Sequence, residues 1–171
     1  KPHSKIDDFS RLVTANDTFC DVAMMKLCYV DISKNTDIHE LFRYYTSMVE
    51  KLAESAPDVH LVNLTVPLRC IQLGLRSRIK LLAGQALEPV EDNVRREAYN
   101  SLLRREYQGK ASLFDLAPFE ATRPDGSTSS IRVGGKEVKT LYPGYSDDGG
   151  HLNSIGRQYI AQKLVDVISE L

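Results

Sequence analysis

Residues 21–32, DVAMMKLCYVDI, are apolar almost without a break, with Lys26 the main interruption before Asp31. A strand buried on both faces has this appearance, and such strands belong to parallel sheets covered by helices. The rhythm then changes to a helical period. Ile38, Leu41, Phe42, Tyr45, Met48, Val49 and Leu52 form one stripe, Asp37 and Glu40 stand in capping-box spacing at its start, and Pro57 closes it. Val59 to Leu68, VHLVNLTVPL, reads as a second core strand ended by Pro67. Strand, helix and strand in this order predict a parallel pair with a right-handed crossover.

Residues 69–88 mix aliphatics with Gly74 and Gly84 and predict an irregular excursion with one short helical piece. Val90, Val94, Ala98 and Leu102 recur at four-residue spacing, so a helix is expected over Pro89 to Tyr107, with Asn93 and Asn100 on its solvent side. Ala111 to Phe114 supplies a short third strand, followed by Asp115. Residues 123–130 are rich in turn formers, and Gly134-Gly135 between two alternating arms predicts a small hairpin. The polar loop PGYSDDGGHLN leads into a last helix carrying Ile155, Tyr159, Ile160, Leu164, Val167 and Ile168. The expected architecture is a single domain over 1–171, an α/β/α sandwich of flavodoxin-like type around a parallel sheet. Ligands of such sheets bind beyond the carboxyl ends of the strands, where Asp31, Asp115 and the loop at 143–151 fall.

Composition narrows the function without choosing it. The apolar share of 42 % and charged share of 26 % are those of a folded globular chain. Lys plus Arg number 22 and Asp plus Glu 23, so nothing in the balance calls for a nucleic acid or an anionic membrane as partner. The basic pairs Arg95-Arg96 and Arg104-Arg105 each have a Glu close by and read as a solvated helix face. No apolar run approaches the length of a spanning helix. A leader removed in processing would leave no trace, so the compartment, cytoplasmic or secreted, stays open. Cys20, Cys28 and Cys70 lack metal-ligand spacing and read as buried free thiols.

Asp147-Asp148-Gly149-Gly150-His151-Leu152-Asn153 is the stretch richest in chemistry. Two glycines let the loop fold tightly enough for Asp148 to reach His151. A carboxylate on one imidazole nitrogen fixes the tautomer and leaves the other nitrogen free to take a proton. The alternative is a polar loop whose Asp147 or Asn153 merely caps the last helix. Calcium binding is a third reading, for which one acidic pair offers too few oxygens.

Asp-x-x-His followed by LNSIGRQYIAQKL resembles the closing block of the SGNH (GDSL-like) hydrolases. More loosely, MMKLCYVDI resembles the strand leading to the family's Gly-x-Asn-Asp block, and NVRREAYNSLLRREY with LFDLAPFEA resembles the helix and strand before the catalytic loop. The resemblance implies ester hydrolysis by a serine nucleophile, with no metal or organic cofactor. It makes His151 the general base and Asp148 its orienting partner, with Gly156 early in the closing helix. Tyr29, Asp31, Tyr145 and Ser146 are then expected along the substrate cleft, and a small-molecule ester is the expected partner. The polar character of PGYSDDGG inclines the substrate toward acylated carbohydrate.

Two departures stand against this pattern. No Gly-Asp-Ser-like nucleophile block is present, and Cys28-Tyr29-Val30-Asp31 keeps only the last residue of Gly-x-Asn-Asp, with Val30 where an oxyanion donor would be. Any oxyanion hole would then rest on other groups, backbone amides among them. Ser4, Ser10, Ser33 and Ser146 read as caps or loop residues. The expectation that reconciles these facts is a chain beginning after the family's first strand and nucleophile loop. It leaves one sheet position empty or filled by another chain, and a sheet edge open to self-association. The alternative function is a non-catalytic binding or assembly domain that retains the fold. A flavodoxin-like cofactor binder is the weaker alternative, because no Gly-rich phosphate loop follows either strong strand.

Overall fold

The computed structural model describes residues 1–15, 20–85, 87–109 and 113–169. Helix α1 (Pro2–Val13) precedes strand β1 (Val22–Met25), helix α2 (Ile38–Ser55) and strand β2 (His60–Leu64). Helices α3 (Leu75–Leu82) and α4 (Glu88–Tyr107) lead to strand β3 (Leu113–Phe114) and helix α5 (Leu116–Ala121). A hairpin of β4 (Ser130–Val133) and β5 (Lys136–Lys139) and the closing helix α6 (Ser154–Ile168) complete the order. Strands β1, β2 and β3 form a parallel sheet in that order, with Val22 opposite His60 and Asn63 opposite Leu113. The chain is thus an α/β/α sandwich of the flavodoxin-like type expected. Among the described residues no strand pairs with β1 on the side away from β2.

The pleat divides the core. Ala23 and Met25 join α1, α2 and α4 on one face, where Ile6, Leu41, Leu52, Tyr99 and Leu103 are buried. Val62 and Phe114 face the other way, against Ile160, Leu164 and Val167 of α6 and Phe119 of α5. Asp37 caps α2 as its spacing predicted, accepting from the amides of His39 and Glu40 at 3.1 and 3.0 Å. The hairpin turns on Gly134-Gly135, as predicted.

Both long strands are shorter than the apolar runs suggested. The run at 21–32 holds a four-residue strand, and Asp31 sits in a 3₁₀ turn over Tyr29–Asp31 rather than at the strand's carboxyl end. Leu27 and Ile32 are nevertheless buried, so the run reports burial and not strand. The third strand is Leu113–Phe114, and the remainder of its predicted span, at 111 and 112, lies outside the described residues.

Helix α4 departs most from expectation. Val94 is exposed, whereas Asn93 and Asn100 are fully buried. Asn100 clamps Val66, accepting from its amide at 2.7 Å and donating to its carbonyl at 2.9 Å. Asn93 does the same to Arg69, at 3.0 and 2.8 Å. Past the end of β2 the chain has no ladder partner for these groups, and buried backbone must be paired. Nor is the arginine pair at 95–96 simply a solvated face. Arg96 is buried, with Nε donating to the Tyr29 carbonyl at 2.9 Å and Nη1 to Asn93 Oδ1 at 2.7 Å. Arg104 is mostly buried in ion pairs with Asp115 at 2.7 Å and Glu97 at 2.8 Å.

Candidate functional site

The loop before α6 is built from its own side chains. Asn153 caps the helix, accepting from Gly156 N at 3.0 Å, and its amide donates to the Tyr145 carbonyl at 2.8 Å. Ser146 Oγ donates to the His151 carbonyl at 2.7 Å and accepts from Gly149 N at 2.9 Å. Gly149 takes a φ of +80°, where a side chain would be strained. At Gly150 a Cβ would lie 2.6 Å from the Tyr29 hydroxyl, so glycine lets this ring close over the loop.

This scaffold presents the dyad. Asp148 Oδ2 meets His151 Nδ1 at 2.6 Å, while Oδ1 accepts from the amides of Gly150 at 2.8 Å and His151 at 2.7 Å. The His151 amide first, then its ring and the Gly150 amide, hold the Asp148 carboxyl far below the usual carboxylate range. An ionised Asp148 can only accept, so the proton sits on Nδ1 and the Nε2 lone pair is left open. No side-chain hydroxyl bonds to the His151 ring among the described residues. The ring is well exposed and borders a cavity of about 340 Å³ shared with Asp147, Asn153 and Arg157.

Of the residues singled out from the sequence, the structure gathers Tyr29, Ser146, Asp148 and His151. The Tyr29 and His151 rings meet edge to face at 5.5 Å. Ser146 serves as the pin of the loop. Tyr145 is buried, stacked on Tyr159 at 5.3 Å and edge-on to Tyr142, so its side chain points into the core. Asp31 accepts from Cys28 N and Lys5 Nζ, both at 2.7 Å, and thereby fixes the turn that carries Tyr29. The three cysteines are free thiols, but partly exposed rather than buried. No group of three or more His, Cys, Asp and Glu placed to hold a metal ion occurs among the described residues.

Sequence reasoning missed Arg69 and Arg96. The Arg69 guanidinium lies 5.1 Å from the centre of the Tyr29 ring and that of Arg96 5.8 Å from it. Burial holds the Arg96 guanidinium below its ordinary value, opposed by Asp92 and reinforced by the charge of Arg69. Only the buried polar face of α4 could have signalled this, through the spacing of Asn93, Arg96 and Asn100. A larger cavity, about 650 Å³, lies between α4 and the hairpin and is lined by Val90, Val94, Ala98, Val133 and Val138. None of the residues predicted for the site borders it.

No family model and no curated protein matches this chain. Nine solved chains match it in fold. One, from Streptococcus pneumonia and carrying the provisional name platelet activating factor, superposes with a TM-score of 0.56 at 17 % identity. The match takes in 85 % of this chain, which spans only 58 % of the other's length. At that identity the likeness is one of fold. Among the described residues no helix is long and apolar enough to cross a membrane.

Proposed function

We propose that this chain carries the general-base half of a serine-type hydrolase of carboxylic esters. The observation that supports it is the 2.6 Å contact of an ionised Asp148 with His151 Nδ1, which leaves Nε2 unengaged and open to solvent. In the reaction Nε2 takes the proton of a serine hydroxyl as its oxygen attacks the acyl carbon. The imidazolium so formed is stabilised by Asp148 and returns the proton to the leaving alkoxide. Water then repeats the sequence on the acyl-enzyme. Ser146 is committed to the loop and Ser4 bonds the Lys1 carbonyl on α1, so neither is offered to His151 as the nucleophile. The fold, the closing motif and the position of the dyad in the loop before α6 agree with the SGNH resemblance. A small-molecule ester, with acylated carbohydrate favoured by the polar loop, is the proposed substrate class.

The test is fluorophosphonate labelling of the full gene product, with the labelled peptide mapped by mass spectrometry. Labelling of one serine that is lost in His151→Ala and reduced in Asp148→Asn supports the reading. A folded protein that takes no label and turns over no small acetyl ester would replace it with the binding-domain alternative.

A further inference from the structure

We propose that Arg69 is a specificity-determining residue that takes a carboxylate or phosphate-type anionic group on the substrate, beside the His151–Asp148 dyad. The inference rests on the ester-hydrolase reading for the word substrate, and on geometry alone for the anion.

Arg69 is held in place at its backbone and left unused at its side chain. Its amide donates to Asn93 Oδ1 at 3.0 Å, and its carbonyl accepts from Asn93 Nδ2 at 2.8 Å and from Leu141 N at 3.3 Å. The next residue, Cys70, donates its amide to the Gly149 carbonyl at 2.9 Å, which fastens this segment to the loop of the dyad. The guanidinium rests on Tyr29, whose ring in turn touches His151. The guanidinium and the imidazole thus meet the same ring.

No acceptor among the described residues meets it. Arg69 Nε is buried without a hydrogen-bond partner, and no side chain or carbonyl among the described residues accepts from its Nη nitrogens. Arg96 and Arg104, which are largely withdrawn from water, both have acceptors: the Tyr29 carbonyl, Asn93 and Asp92 for one, Asp115 and Glu97 for the other. Stacking on a ring satisfies none of the five donors. Arg95 shares an orphaned Nε but borders the cavity between α4 and the hairpin, whereas Arg69 rests on the ring that meets His151.

The surrounding charges sharpen the point. Two guanidinium groups share the Tyr29 ring. The nearby carboxylates are engaged elsewhere: Asp92 with Arg96, Asp31 with Lys5, Asp148 with His151, while Asp147 accepts from Asn153. Among the described residues, none of these carboxylates pairs with the Arg69 guanidinium. The planar fork of Nη donors matches two oxygens of a carboxylate or phosphate. An ester bearing such a group would be drawn to this side of His151 and held with its acyl carbon near Nε2.

The experiment uses the full gene product in wild-type, Arg69→Met and Arg69→Lys forms. Methionine keeps an apolar stem on Tyr29 without the charge, and melting curves verify that each variant is folded. Inorganic phosphate is titrated at constant ionic strength, and the amide signals of residues 29, 69–70 and 149–151 are followed in ¹H–¹⁵N spectra. Saturable shifts in wild type, weaker in Arg69→Lys and abolished in Arg69→Met, are expected. Wild-type signals that do not move, or shifts that persist in Arg69→Met, overturn the proposal.

In the second arm, kcat/KM for 4-carboxyphenyl acetate is divided by that for phenyl acetate. The ratio should fall about tenfold or more in Arg69→Met, mainly through KM, with part restored in Arg69→Lys. An unchanged ratio in an active enzyme overturns the substrate role while leaving ester hydrolysis intact. Phosphate binding that depends on Arg69 in a protein that hydrolyses neither ester keeps the anion site and removes its hydrolytic context.

Discussion

Glu120→Gln is expected to stabilise this protein, increasingly so as the pH rises. Glu120 lies in α5, almost wholly withdrawn from water beside the cluster of Leu68, Ala117, Ala121, Leu141 and Tyr145. Burial pushes its carboxyl from the usual 4.5 up to about 8, against the opposing pull of the Leu68 amide, which donates to Oε2 at 2.9 Å, and of the Lys26 charge. The folded chain therefore keeps a proton that the unfolded chain has already released. A raised carboxyl pKa gives stability that is complete below about 4.5 and is lost as the pH climbs toward 8. The slope in that window is about 1.4 kcal/mol per pH unit, so roughly 3–4 kcal/mol should disappear between pH 5 and pH 8. Glutamine has no proton to lose, and its Oε1 can still accept from Leu68. The variant should match wild type to within about 1 kcal/mol at pH 5 and exceed it by roughly 3 kcal/mol at pH 7. Urea unfolding followed by circular dichroism at several pH values measures this difference directly, and titration of other groups cancels between the two proteins. Parallel pH profiles for wild type and Glu120→Gln would refute the reasoning, because they would mean that Glu120 ionises in the folded state as readily as in the unfolded one.

Removing the buried amide in Asn100→Ala strands the amide and carbonyl of Val66. It should cost roughly 3 kcal/mol, read as a lower urea midpoint at unchanged slope, and a loss below about 0.5 kcal/mol would contradict the clamp. Asp148→Asn can keep the caps on the Gly150 and His151 amides but loses the charge that orients the imidazole. Ester hydrolysis should fall by about 10²–10⁴-fold with the melting temperature nearly unchanged, and kinetics paired with calorimetry separate the two. Gly150→Ala places a methyl against the Tyr29 hydroxyl and should push that ring off His151, detected as loss of the ring-current shift on the imidazole protons; an unaltered shift would show that the contact has slack.

The period of the apolar residues carried the order of the sheet strands, α2, α4 and α6, though not α1 or α5, because helix and strand impose their periods on any face they bury. It did not carry the ends of the strands. At 59–68 the apolar pattern continues past Leu64, where the ladder stops. Val66 and Leu68 remain buried, but Asn100 and Glu120 bond their backbone in place of a neighbouring strand. An apolar run is silent on whether strands or side chains satisfy its peptide groups. The polarity of Asn93, Asn100 and Arg96 misled for the same reason: their partners are main-chain atoms of distant segments, which no local pattern displays.

The two halves of the candidate site differ in legibility for a related cause. Asp148 and His151 are three residues apart, and glycines beside them make the contact between their side chains a local matter, visible in sequence. The cationic half joins Tyr29, Arg69 and Arg96, which meet only after α4 has packed beyond the end of β2. Asn93 is the residue that unites them. Its Oδ1 accepts from both the Arg69 amide and Arg96 Nη1, while its Nδ2 donates to the carbonyls of Arg69 and Lys139. One fully buried amide thus positions the segment bearing Arg69, orients the guanidinium that braces Tyr29, and ties both to the hairpin. The same side chain serves fold and site at once, because the backbone it completes is the backbone from which Arg69 projects.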